Sequence, residues 1–198
     1  KQEEKISQID SELKKVLFGL LEKLCSEKNS AKKIADALSE NLIVEMRNEN
    51  ASSPSSNLES VLKLFRTITS HPNTVESFLQ FDGHELILNF LKSNPMNIEN
   101  SMLSLNIIEN IAKNGNNYKK KLKDSKAVEI ITELMNKTKS VSKEINLLGG
   151  IIINELNEIN LDELNKVEDG NVIQMTKTQA PIKPKIKNFL TNGKVVRM

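Results

Sequence analysis

Leu105-Asn-Ile-Ile-Glu-Asn-Ile-Ala-Lys-Asn-Gly-Asn-Asn-Tyr-Lys-Lys-Lys-Leu122 carries the fold of this chain, because an earlier segment repeats its apolar frame. Displaced by 43 residues, Leu62 falls on Leu105, Leu64 on Ile107, Phe65 on Ile108 and Ile68 on Ile111. Further on, Asn73 meets Asn116, Leu79 meets Leu122, Ile87 meets Ile130, Leu88 meets Ile131 and Leu91 meets Leu134. The apolar positions and the breaks coincide together, which is the mark of a structural repeat. A weaker upstream copy sets Leu21 on Leu64, and Leu42, Ile43 and Met46 on Leu86, Ile87 and Phe90. A long, a short and a medium helix thus recur three times. No such unit can bury its apolar face alone, so neighbours must stack and share one core.

Outward from the repeat, the pattern stays helical. Ile6, Ile9, Leu13, Val16, Leu17, Leu20, Leu21 and Leu24 step by three, four or one and form a wide apolar stripe on a helix. Asn29-Ser30 offers an N-cap for a short helix with Ile34, Ala35 and Leu38, and another short helix carries Leu42, Ile43 and Met46. Asn48 to Asn57 is polar, holds Ser-Ser-Pro-Ser-Ser and is expected to be a loop. His71-Pro72-Asn73 stops a helix, because proline disfavours a helical residue before it. Nine core candidates follow from the register: Leu62, Phe65, Ile87, Leu91, Leu105, Ile108, Ile130, Ile131 and Leu134.

This pattern resembles the armadillo and HEAT repeats, and armadillo more closely. Leu105 to Leu122 is similar to that family's third helix and the turn into the next first helix; Asp124 to Met135 is similar to its second helix. The earlier copy keeps an Asp82-Gly83 turn at the corresponding junction, and the resemblance spans residues 7–157. It implies an all-α, right-handed α-solenoid of about three repeats. In the family's peptide-binding members the third helices line a concave groove with a Trp and, four residues on, an Asn. Asn110 matches that Asn, Asn106 stands at the Trp position, and Lys63 and Thr67 hold the two places in the preceding copy. The groove residues implied are therefore Lys63, Thr67, Asn106 and Asn110. With the Trp/Asn ladder mostly missing, a nuclear-transport type of peptide receptor is disfavoured.

Composition narrows the chemistry. The chain has 198 residues, 28 Lys and Arg against 26 Asp and Glu, and a net charge of +2, which argues against nucleic acid as a partner. One cysteine, Cys25, excludes an intramolecular disulfide and favours a reducing compartment. Following Leu24 on an apolar helix, it reads as a small core residue and not as a nucleophile. His71 and His84 have no second His or Cys at ligand spacing, so no metal site is expected, and their expected roles are capping or surface polarity. Gly149-Gly150 lacks the Lys-Ser/Thr of a phosphate loop and predicts close helix packing or a kink. No nucleophile motif, cofactor motif or apolar run long enough to span a membrane occurs. Lys119, Lys120, Lys121 and Lys123 form a basic patch, suited to an acidic partner or to the solvated face of a short helix.

Near Val167 the composition changes. Residues 166–198 hold seven Lys or Arg and two acids, a net charge of +5 against −3 for the rest. Two prolines and alternating Ile and Lys predict an extended arm, and Asn192-Gly193 between apolar stretches predicts a β-hairpin. Ile182, Ile186, Phe189, Leu190, Val195 and Val196 are its candidate docking residues. The expected organisation is a helical repeat domain over 1–165 and a basic arm over 166–198. The absence of an initiator Met leads us to expect a piece of a longer protein. The function expected is a non-enzymatic scaffold or adaptor for protein partners, without a small-molecule substrate, in the cytoplasm. A structural subunit of a cytoskeletal or ciliary assembly is the alternative.

Overall fold

A computed structural model of the chain describes residues 2–52 and 57–158, with side chains from Asp10 onward except those at 45 and 48–52. These residues belong to the first of two units, Lys1–Asn160. The arm expected at 166–198, its hairpin and its docking residues Ile182, Ile186, Phe189, Leu190, Val195 and Val196 lie outside the described residues.

Regular structure among the described residues is entirely helical. The helices are α1 (Gln2–Cys25), α2 (Lys28–Ser52), α3 (Leu58–Thr69), α4 (Val75–Gln80), α5 (Gly83–Ser93), α6 (Ile98–Lys113), α7 (Asn116–Asp124), α8 (Ala127–Thr138) and α9 (Lys143–Asn157). Their boundaries have local causes. Asn97 caps α6 by accepting from the Asn100 amide at 3.2 Å, and Ser142 caps α9 by accepting from the Ile145 amide at 3.2 Å. The chain enters α5 and α8 through left-handed residues, Asp82 at φ 57° and Lys126 at φ 61°. A left-handed conformation costs an ordinary residue about 1–2 kcal/mol, so its recurrence at equivalent junctions reflects one shared turn geometry. Gly83 follows the first of these because a Cβ there would lie 2.5 Å from the Phe78 ring.

One boundary differs from the sequence reading. The two short helices expected between Asn29 and Met46 are a single helix, α2, which continues to Ser52 into the segment expected to be a loop. No Gly or Pro interrupts Lys28–Ser52, and Ala31, Ala35, Leu42, Ile43 and Met46 keep one helical face buried throughout. Even Ser39, between the two expected pieces, is buried.

The helices pack in two rows. In one row α1 packs on α3, α3 on α6 and α6 on α9; in the other α2 packs on α5 and α5 on α8. The short helices fill between them, α4 against α2, α3 and α5, and α7 against α6, α8 and α9. A single apolar core results. Of the nine residues expected in it, eight are buried and Ile130 is half-buried against it. At its centre Phe65 and Phe78 meet edge to face, ring centroids 5.0 Å apart at 63°. Gly149 lets α9 close on α8, since a Cβ there would meet Met135 Sδ at 2.7 Å and Ile131 Cγ2 at 3.1 Å.

Candidate functional site

The four residues implied by the repeat register lie on neighbouring helices of the first row, Lys63 and Thr67 on α3 and Asn106 and Asn110 on α6, and all are half-buried. Residues four apart share a helix face, so each pair is aligned, and the packing of α3 on α6 sets the pairs beside each other.

Their bonds divide them by role. Asn110 Nδ2 donates to the Arg66 carbonyl at 3.1 Å and to Thr69 Oγ1 at 3.3 Å, while its backbone carbonyl accepts from Asn114 Nδ2 at 2.6 Å. The amide that the resemblance reserves for a ligand thus adds a second hydrogen bond to a carbonyl in the last turn of α3 that already accepts from the Ser70 amide at 3.1 Å. Asn106 Nδ2 donates to the Met102 carbonyl at 2.8 Å. Thr67 Oγ1 donates to the Lys63 carbonyl at 3.1 Å and reaches Glu22 on α1 at 3.5 Å. Lys63 pairs with Glu59 one turn away. The hydrogen bond to Glu59 holds its ammonium above the usual lysine range, against the opposing effect of desolvation, with the Glu59, Glu99 and Glu22 charges adding. Arg66 reaches Glu22 at 3.7 Å. Three helices therefore meet here through a mixed band of charge, with Glu22 on α1, Glu59, Lys63 and Arg66 on α3, and Glu99 on α6.

Sequence reasoning missed the apolar continuation of this surface. When the caps Asn97 and Ser142 are aligned, Leu147 and Ile151 of α9 take the positions of Met102 and Asn106 on α6. Leu147 is 70% exposed and Ile151 46% exposed. The run Leu147-Leu148-Gly-Gly-Ile151-Ile-Ile153 is apolar on all sides, so periodicity alone could not say which of its residues face solvent.

The four lysines of α7 do not form one patch. Lys119 is buried and pairs with Glu155 of α9 at 2.5 Å, and Lys121 donates to the Leu79 carbonyl on α4 at 3.0 Å. Lys120 and Lys123 are exposed. Two of the four thus tie α7 to its neighbours.

The remaining candidates are structural. His71 Nε2 lies 2.8 Å from the Cys25 carbonyl and closes the C-terminal end of α1. His84, expected to cap a helix or lie at the surface, is buried with Nδ1 lacking a hydrogen-bond partner. Burial and then the Lys121 charge press its pKa down to about 4, against a smaller opposing effect of Asp82. Cys25 is fully buried, and desolvation followed by the Glu22 charge pushes its thiol up to about 11, far from the thiolate that a nucleophile needs. A cleft of 210 Å³ between α5 and α8, lined by Glu85, Leu88, Asn89, Asp124, Ser125, Lys126 and Ile130, is below the ~300–1,000 Å³ of ordinary ligand sites. Among the described residues no three His, Cys, Asp or Glu gather as metal ligands, and no helix is long and apolar enough to cross a membrane.

No protein-family model matches the chain, and no curated protein matches it. It is similar to a crystal structure of an engineered protein, with a TM-score of 0.63 and 17% identity over 83% of this chain. The chain spans 64% of that protein's length. At such identity the likeness concerns the arrangement of helices alone, and it places the chain among all-α proteins built from many packed helices.

Proposed function

We propose that this chain is a non-enzymatic protein-interaction scaffold, built as an armadillo-like right-handed α-solenoid of about three repeats, whose partner lies along α3, α6 and α9. The observation that carries the reading is the surface running from the Lys63 and Thr67 pair through Asn106 to the exposed Leu147 and Ile151. A charged stretch continues into an apolar one across three consecutive helices, as a long partner segment needs. The two rows of helices and the repeated left-handed entry at Asp82 and Lys126 support the repeat architecture. The basic segment 166–198 is a second contact for the same partner or for an acidic one. A fully buried thiol suits the cytoplasm.

The reading differs from importin-like peptide capture in its anchors. Asn110 is committed to the Arg66 carbonyl and Lys63 to Glu59, so affinity rests on apolar contact at Leu147 and Ile151. The test is capture of partners by the full chain, by a chain lacking 166–198, and by L147D/I151D. Loss of the same bound protein from L147D/I151D, with helix content unchanged, is the expected result. Unchanged capture by that variant would refute the surface, and turnover abolished by one polar substitution would refute the non-enzymatic reading.

A further inference from the structure

The first helix of the row presents an apolar face to solvent. Leu13 is 66% exposed, Val16 61%, Leu17 50%, Leu20 55% and Leu24 55%. Among the described residues no helix covers them. Phe18, Leu21 and Cys25 are the α1 side chains turned toward the body. Setting them on Leu62, Phe65 and Thr69 of α3 places Leu17 and Leu24 on Val61 and Ile68, and Leu13 and Leu20 on Asn57 and Leu64. All four counterparts, on α3 and at its N-cap, are buried. The face that is buried on α3 is thus exposed on α1.

We infer that this face pairs with the same face of a second copy, two α1 helices lying antiparallel about a two-fold axis. Leu13, Leu17, Leu20 and Leu24 are spaced four, three and four, the seam of paired helices. The spacing reads the same in both directions, so an antiparallel mate sets Leu13 against Leu24 of the second copy and Leu17 against Leu20. No polar residue interrupts the seam, which makes it complementary to itself, as a two-fold interface requires. The other end of the row is unsuited to the same role, because around Leu147 and Ile151 α9 carries Lys143, Asn154 and Asn157, all exposed.

The area lies at the lower edge of what a pair needs. Five aliphatic side chains about half exposed make a patch on the order of 500 Å², at the upper end of what a monomer leaves open. Two such patches face to face, with the stems of the flanking Lys14 and Lys23, approach the ~1,200 Å² at which specific interfaces begin.

The experiment is sedimentation equilibrium of the full chain from low micromolar to about 100 µM, with L17E/L20E beside it. We expect a mass approaching twice 22.3 kDa, a dissociation constant at least about 100-fold weaker in the variant, and unchanged helix content, since neither leucine is buried. A parallel measurement mixes Leu13→Cys with Leu24→Cys chains under oxidation; Cys25 is fully buried and does not compete. A disulfide between the two kinds of chain supports the antiparallel pairing. A monomer at every concentration, a dimer indifferent to L17E/L20E, or disulfides only between identical variants would each overturn it. This pairing does not depend on the scaffold reading, whose partner surface is on α3, α6 and α9.

Discussion

Phe65→Ala tests the core at its centre. Phe65 is fully buried on α3, and its ring meets Phe78 of α4 at 5.0 Å between centroids and 63° between planes. Removing such a ring costs about 3–5 kcal/mol, as lost burial plus the cavity left behind. Of this, ~0.5–1.5 kcal/mol belongs to the edge-to-face contact. The cavity term depends on how far the surrounding side chains, Phe78 among them, collapse into the space. For a domain of this size each kcal/mol lowers the melting temperature by about 2–4 °C, so the variant should melt about 6–20 °C below the parent. Urea denaturation followed by circular dichroism measures the loss directly, and Phe65→Leu, expected to lose much less, provides a folded reference. A loss below about 1 kcal/mol for Phe65→Ala would mean that α3 and α4 do not share this core, and the register drawn from the 43-residue displacement would fall with it.

Two adjacent glycines should respond with opposite signs. Gly149→Ala drives a methyl into Met135 and Ile131 and should destabilise, whereas a methyl at Gly150 would meet nothing within 4 Å, so Gly150→Ala should gain up to about 1 kcal/mol through helix propensity. Thermal melts of the two variants decide, and equal effects would refute the α8–α9 contact. His84 is held neutral in the fold, with a pKa of about 4 against an ordinary 6.5. The unfolded chain therefore binds more protons between these values, so its contribution is full above pH 6.5 and is lost as pH falls toward 4. Urea midpoints across this window should decline, by the equivalent of about 3 kcal/mol, and the decline should shrink in His84→Phe.

The helices were legible wherever an apolar face had a neighbour to cover it. Leu62, Phe65, Leu105 and Ile108 recur at one spacing because α3 and α6 pack in equivalent surroundings, and that equivalence is what a displaced sequence detects. Periodicity says which face of a helix is apolar, not whether anything lies against it. The α1 stripe has the spacing of a core face and is half exposed, while Leu147 and Ile151 belong to a run apolar all round and give no periodic hint of exposure. Charge runs mislead for the opposite reason. Lys119 and Lys121 look like solvated neighbours in sequence, but helical geometry turns them toward different helices, one to Glu155 and the other to the Leu79 carbonyl. The break expected near Ser39 failed because a serine can occupy a helix interior, and nothing in Lys28–Ser52 forces the backbone out of it.

Asn110 stands where the resemblance to armadillo repeats implies a ligand-binding amide. A side-chain amide there could reach outward to a ligand or sideways to the neighbouring helix. Here it goes sideways, because α3 ends in Ser70 and leaves the Arg66 carbonyl beside α6, where it accepts from both the Ser70 amide and Asn110 Nδ2. Thr69 completes the bond set from the same turn. A carbonyl has two lone pairs, so the amide adds to the Ser70 bond, a net gain of about 0.5–1.5 kcal/mol, and this structural use holds with or without a partner. The equivalent contact one helix earlier runs through charge instead, Glu22 of α1 reaching Thr67 and Arg66. The α1–α3 and α3–α6 junctions are thus held by different polar devices on the same face. On this face the polar side chains of α1, α3 and α6 bond within the fold while staying partly accessible, and α9, with Leu147 and Ile151 open, adds the apolar surface on which a partner segment would rest.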